Sequence, residues 1–228
     1  MKGFGVKRGR IGAVIFDCDG VLVDSEPLAA KEWASVLGAM GLPIDIDRIY
    51  REFLGRSTVT MINAAQRDYD VDLRPALPDF SVRLENAFRD SLTPIPGIAE
   101  VLAELRVPHA VASSSAFERI QLSLELTGLR RFFGDHVYSS TMVKNGKPAP
   151  DLFLFAADKL GVAPADCVVI EDSPAGVTAA QAAGMRVIGF LGGSHAERAR
   201  LAERLAVLEP DAVIEHASDL PNTLARMS

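Results

Sequence analysis

Ala13-Val-Ile-Phe-Asp17-Cys-Asp19-Gly-Val-Leu-Val-Asp24-Ser-Glu26 is the stretch that decides the fold. Its apolar start, residues 13–16, reads as a short buried strand. The run ends on two carboxylates two residues apart, then a glycine. Side chains alternate along a strand, so Asp17 and Asp19 point the same way. Two acids on one side of a buried strand end repel each other and lose hydration, so they call for a cation or a shared proton. An Asp-Gly turn closing the strand is the plain alternative.

Further along, the chain alternates helix and strand. Helix 97–105 precedes strand 108–113, and helix 116–127 stops at Gly128. A short strand near 136–139 is followed by helix 150–160, strand 166–170, helix 174–183 and strand 186–190. A charged helix over about 194–206 and a last strand at 212–214 complete the series. Such alternation predicts a parallel sheet wrapped by helices. Residues 27–92 differ: they read as four helices with no strand alternation. Thr93-Pro-Ile-Pro-Gly97 then punctuates the chain as a boundary does.

In doubly wound sheets, ligands bind beyond the carboxyl ends of the strands. Asp17 and Asp19, Ser113, and the pair Glu171-Asp172 all fall at such ends. Three separate strands therefore deliver polar groups to one edge. Glu171 and Asp172 are hard oxygen donors suited to magnesium, or they begin helix 174–183 as caps. Ser113 and Ser114 stand before helix 116–127, where hydroxyls and backbone N–H groups can hold phosphate oxygens or simply cap the helix. Lys147 lies in Lys-Pro-Ala-Pro-Asp151, just ahead of the next helix. Four acids against one lysine leave about three uncompensated negative charges. Each like pair 4 Å apart costs roughly 4 kcal/mol at an effective dielectric of 20. A divalent ion resolves most of that and shields an incoming phosphate dianion.

Residues 13–25 resemble, position by position, the hhhhDxDGxLxDS hallmark of the haloacid dehalogenase superfamily. Within it the chain looks like the branch holding β-phosphoglucomutase and small sugar-phosphate phosphatases. The resemblance implies an α/β, Rossmann-like core with a parallel sheet, formed by residues 1–26 and 94–228. It also implies an inserted α-helical cap over residues 27–93. By the same resemblance, Asp17 is the nucleophile that takes the phosphoryl group, Asp19 the general acid/base, and Lys147 the neutralising cation. Mg2+ is the implied cofactor, held by Asp17, Asp19 (through its backbone carbonyl), Glu171 and Asp172. Ser113 and Ser114 are the implied phosphate contacts.

Two departures bear on the reaction. The resemblance places a histidine, in mutase-like sequences, where Ala29 stands here. The cap loop Gly55-Arg56-Ser57-Thr58 has its arginine at position 56, whereas the mutase carries one at the position of Thr58. Both departures favour a phosphatase over a mutase, because water needs neither residue. Arg56 and Ser57 are the cap residues expected to touch substrate, Arg56 through an anion such as a sugar-acid carboxylate; a surface charge is the other reading of Arg56. Asp19 and the Glu171-Asp172 pair argue against carbon–halogen chemistry. A non-catalytic binding protein on this fold would have no need of the nucleophile. Gly192-Gly-Ser-His195 reads as a strand-to-helix turn capped by Ser194 in preference to a phosphate-facing entrance loop. His109 and His136 read as structural.

Composition narrows the remaining possibilities. The 228 residues, 48% of them hydrophobic, can bury a full core with an insert. A net charge of −6 disfavours nucleic acid as the main partner. Two cysteines, Cys18 and Cys167, are too few for a disulfide framework and suit a reducing cytoplasm. No leader pattern and no apolar run of about 18 residues is evident, so no membrane partner is expected. The expected partner is a small-molecule phosphate ester, bound by a monomer or weak dimer.

Overall fold

A computed structural model of the chain describes residues 10–42, 44–52 and 58–228. Among them run six strands: β1 (Ala13–Phe16), β2 (His109–Ser113), β3 (Val137–Ser139), β4 (Cys167–Glu171), β5 (Arg186–Phe190) and β6 (Ala212–Ile214). They form one sheet in the order β3-β2-β1-β4-β5-β6, every pairing parallel. The order reverses at β1, so a crevice opens outside the carboxyl end of that strand, beside β4.

Burial explains why these short runs are strands. Val14 and Phe16 pack with Val111, Val168, Ile170 and Ile188 on one face. Ala13 and Ile15 pack with Ala110, Ala112, Val169 and Val187 on the other. A sheet covered on both faces needs continuous apolar strands rather than alternating ones. Small residues on the second face let α7 (Asp151–Leu160) and α8 (Pro174–Ala182) approach closely, through Ala156, Ala157, Ala179 and Ala180.

Of the α-helices between β1 and β2, four precede the Thr93–Gly97 boundary: α1 (Glu26–Ala39), α2 (Ile46–Glu52), α3 (Thr58–Tyr69) and α4 (Leu77–Ser91). Phe80, Leu84 and Phe88 of α4 recur every four residues and form its buried stripe. Trp33 of α1 stacks on Phe80, with ring centroids 3.9 Å apart and planes 21° apart. The fold is thus a Rossmann-like α/β core carrying an inserted helical cap. The two connections of the cap lie side by side: Asp24 N–H donates to Thr93 O at 3.0 Å, and Ile95 N–H to Leu22 O at 2.9 Å. α5 (Ile98–Glu104) and α6 (Phe117–Leu126) flank β2 in sequence.

The charged helix expected over 194–206 is not formed as such. Residues 194–200 are turns, and only α9 (Leu201–Ala206) is helical, entered through Arg200 at φ 52°. Contacts made by Ser194 and His195, given below, hold the first turn out of helical register. A terminal helix, α10 (Leu220–Met227), follows β6 and buries Leu220, Thr223, Leu224 and Met227. No helix among the described residues is long and apolar enough to cross a membrane.

Candidate active site

Each side chain at the sheet edge is placed by the end of a strand. β1 stops at Phe16, and the chain turns through Gly20 at φ 78°. A side chain at residue 20 would overlap the Asp172 carboxylate, so glycine is needed there for space as well as for φ. Asp17, Asp19, Glu26, Ser113, Ser114, Ser115, Arg119, Lys147, Glu171, Asp172 and Ser173 line one small pocket beyond β1, β2 and β4. Asp17, Asp19, Lys147, Ser113, Ser114, Glu171 and Asp172, all singled out from sequence, therefore meet in one place. Arg56 and Ser57 lie outside the described residues.

Lys147 is the electrostatic centre of the pocket. Its Nζ donates to Asp17 Oδ1 and to Glu171 Oε1, both at 2.6 Å, from a side chain only 2% exposed. It also sits 4.8 Å from the Phe153 ring centroid. Burial disfavours its charge, but Asp17 and Glu171 more than offset this and push its pKa up. Glu171 is fully committed. Its Oε2 accepts from the Ser173 N–H at 2.7 Å and the Ser173 hydroxyl at 2.9 Å. Both Glu171 oxygens are thus engaged, one by Lys147 and the other by Ser173. Ser173 in turn caps α8, accepting from Gly176 N–H at 3.0 Å. That leaves Asp172 free of capping duty.

The acids divide into two kinds. Burial raises Asp17 well above the usual carboxylate range; Lys147 opposes it, while Glu171, Asp172 and Asp19 add to it. Burial likewise raises Asp172, with Glu171 next and Lys147 opposing. Asp19 goes the other way. Burial pushes it up, but Arg119 and hydrogen bonds from Ser115 and Ser25 outweigh that and hold it low. Ser25 Oγ donates to Asp19 Oδ1 at 2.7 Å; Ser115 Oγ and Ser113 Oγ approach Oδ2 at 2.5 and 3.4 Å. Arg119 stands 3.7 Å from Oδ2 and donates to Ser115 Oγ.

No three His, Cys, Asp or Glu side chains among the described residues form a ready-made metal cage. The donor set nevertheless fits a hard cation. Two buried carboxylates, Asp17 and Asp172, are both forced up by burial and then by neighbouring negative charge, and one lysine balances only part of it. A divalent ion between them would relieve both and favour their ionised forms.

Arg119, Ser115, Glu26 and His195 join the site without having been singled out as its residues. Arg119 had a local signal: it follows Ser115 by four residues at the start of α6, the spacing that returns a helical side chain over its predecessor. Arg119 also borders a groove of about 790 Å³ between α4 and α6, lined by Trp33, Phe80, Phe117 and Gln121 among others. Glu26 is buried and its pKa is raised to about 8, chiefly by burial. His109 is structural as expected, each ring nitrogen 2.9 Å from a backbone carbonyl, those of Val107 and Phe132. The Gly192–His195 loop differs from expectation. Ser194 presents its N–H to Asp24 Oδ1 at 3.1 Å, and His195 turns inward to Asp172.

Residues 11–184 match the family model of haloacid dehalogenase-like hydrolases. The chain belongs to that family. It is 37% identical to a fructose-1-phosphate phosphatase of Escherichia coli, over 78% of this chain and 96% of that protein. It is 31% identical to a phosphorylated carbohydrates phosphatase of Thermotoga maritima, over 89% and 96%. It is also 30% identical to the β-phosphoglucomutase of Bacillus subtilis, over 91% of each. Among solved structures, a haloacid dehalogenase family hydrolase from Deinococcus radiodurans with bound phosphate and sodium superposes with a TM-score of 0.77. That pair is 38% identical and covers 95% of this chain and 96% of the other. With such relatives the chain is an enzyme of the phosphatase type.

Proposed function

We propose that this hydrolase is a magnesium-dependent phosphatase that cleaves a phosphorylated carbohydrate, a sugar or sugar-acid phosphate, through an aspartyl-phosphate on Asp17. The observation that carries the reading is the meeting of Asp17, Asp19, Lys147 and Asp172 with Ser113–Ser115 in one pocket at the sheet's switch point. Residues 1–26 and 94–228 serve as catalytic core and 27–93 as cap. Two buried free thiols, Cys18 and Cys167, suit a reducing cytoplasm.

Asp17 and Asp172, with the backbone carbonyl of Asp19, would hold the ion. When bound, magnesium neutralises charge on the phosphoryl oxygens during transfer. Lys147 holds Asp17 in place and adds positive charge beside the incoming phosphate, while Ser113 and Ser114 take its oxygens. The Asp17 carboxylate attacks phosphorus, and the bond from phosphorus to the sugar oxygen breaks. Asp19 gives its proton to that leaving oxygen, which departs as an alcohol. Water then attacks the phosphorus, Asp19 takes the water proton, and the bond to Asp17 breaks to restore the carboxylate. In the free enzyme Asp19 is held ionised by Arg119 and the serines. The arriving dianion raises its proton affinity and supplies the acid form. The sugar portion occupies the groove between α4 and α6, with the cap closing to exclude bulk water.

A phosphomutase is the competing reading, favoured by the 30% identity to β-phosphoglucomutase. Ala29 weighs against it, because its methyl cannot help to hold Asp19 back from water. A phosphate-release screen over sugar phosphates, sugar-acid phosphates and nucleotides, with magnesium or chelator, tests the proposal. Magnesium-dependent release from a sugar phosphate is expected. Undiminished release in chelator, or an isomeric phosphosugar forming faster than phosphate, would contradict it.

A further inference from the structure

His195 stands behind the candidate active site. Its side chain is 4% exposed, and Nε2 lies 3.0 Å from Asp172 Oδ2. Asp172 borders both the catalytic pocket and a second small cavity, formed with Tyr50, Ser173, Arg204 and His195. Neither Asp17 nor Lys147 lines that second cavity.

The surroundings are cut to fit this contact. A Cβ at Gly20 would overlap Asp172 Oδ2 and lie 2.8 Å from His195 Cε1. A Cβ at Gly193 would lie 2.7 Å from both Cε1 and Nδ1 of His195 and 3.0 Å from Gly20 O. Two bare backbone positions thus clamp the ring and the carboxylate. The turn is fastened on both sides: Ser194 N–H donates to Asp24 Oδ1 at 3.1 Å, Ala196 N–H to Gly193 O at 3.0 Å, and Ala199 N–H to His195 O at 2.9 Å. Meanwhile His195 Nδ1 is buried with no hydrogen-bond partner. An orphaned ring nitrogen costs stability, and an apolar side chain would fill the space without that cost. The feature that sets His195 apart from such a filler is Nε2, placed 3.0 Å from Asp172 Oδ2.

We propose that His195 is a positioning residue: its Nε2–H fixes the Asp172 carboxylate for the divalent cation, as outer hydrogen bonds orient ligands in metal sites. The inference rests on the reading of Asp172 as a cation ligand. A neutral imidazole with its hydrogen on Nε2 suffices, since the carboxylate is then the acceptor and Nδ1 carries only a lone pair. The ring restricts rotation of Asp172 and leaves its other face to the pocket.

The test is calorimetric titration of the purified, chelator-treated chain with MgCl2, a readout that does not depend on turnover. H195L should weaken magnesium binding by about tenfold or more, the size of effect such outer contacts produce. H195Q keeps an N–H donor and should recover most of the affinity. If H195L does not fold, H195M replaces it as the variant without a donor. Equal magnesium affinity in wild type and a folded donorless variant would overturn the inference, as would H195Q binding no better than H195L. A wild-type chain that binds no magnesium at all would overturn the cation reading itself, and this inference with it.

Discussion

Replacing Lys147 with Met keeps an unbranched stem against Phe153 and removes the charge. The ammonium is 2% exposed and holds two carboxylates at 2.6 Å, so water cannot take over its role. The pocket must then expel a carboxylate to solvent or accept one more proton. Protonating one ordinary carboxyl of pKa about 4 at pH 7 costs about 4 kcal/mol. That figure caps the loss, and it agrees with the roughly 3–5 kcal/mol found on breaking a buried ion pair. The proton route also sets the pH dependence. The folded variant binds a proton that its unfolded chain releases above pH 4, so its stability falls as pH rises through that range. At pH 5 the same step costs only about 1.4 kcal/mol. Urea unfolding followed by Trp33 fluorescence in chelator, at pH 5 and pH 7, measures both values. In melting temperature the pH 7 loss corresponds to roughly 8–16 °C for a chain of this size. A penalty below about 1 kcal/mol at pH 7, or one equal at the two pH values, would refute the reasoning.

Magnesium that binds only the folded chain should stabilise it by about 2.7 kcal/mol at a hundredfold excess over its dissociation constant. Differential scanning fluorimetry should show that upward shift, and D172N should shrink it; identical shifts in both proteins would remove Asp172 from the ligand set. Glu26 supplies a pH-dependent prediction of its own. Its folded pKa of about 8 exceeds the ordinary 4.5, so ionising it costs the folded state increasingly from pH 4.5, and fully above pH 8. E26Q in chelator should therefore gain stability over wild type between pH 5 and pH 8.5, by an amount whose ceiling is on the order of 5 kcal/mol. A melting-temperature difference that does not change with pH would contradict the burial of an unpaired acid there.

The core was legible in the sequence because its strands are buried on both faces and end on charged residues. The apolar run 13–16 and the acids after it carry strand, edge and pocket in fourteen residues. The cap was legible as a block without alternation. Three features were not, each because it depends on contacts distant in sequence. Adjacent acids at 171 and 172 look alike in one dimension; only the position of Lys147 commits Glu171 to the lysine and leaves Asp172 to the pocket. Residues 194–200 have helical composition, but anchors on Asp24 and Asp172 outcompete the first turn of a helix. His195 has no local pattern to reveal it, since its partner lies on the loop after the neighbouring strand β4. The reading that ends the series at 212–214 misses α10, although Leu220, Leu224 and Met227 stand at helical spacing.

The central claim is that phosphate passes through Asp17. Asp19→Asn removes the group that activates water, while p-nitrophenyl phosphate carries a leaving group that departs without an acid. Mixing D19N with p-nitrophenyl phosphate and magnesium should therefore load the enzyme faster than water unloads it. Intact-mass analysis after acid quench should show the chain heavier by one phosphoryl group, mapped to Asp17 and absent from D17N. Nitrophenol release by D19N with no covalent adduct, or an adduct on any other residue, would contradict the account.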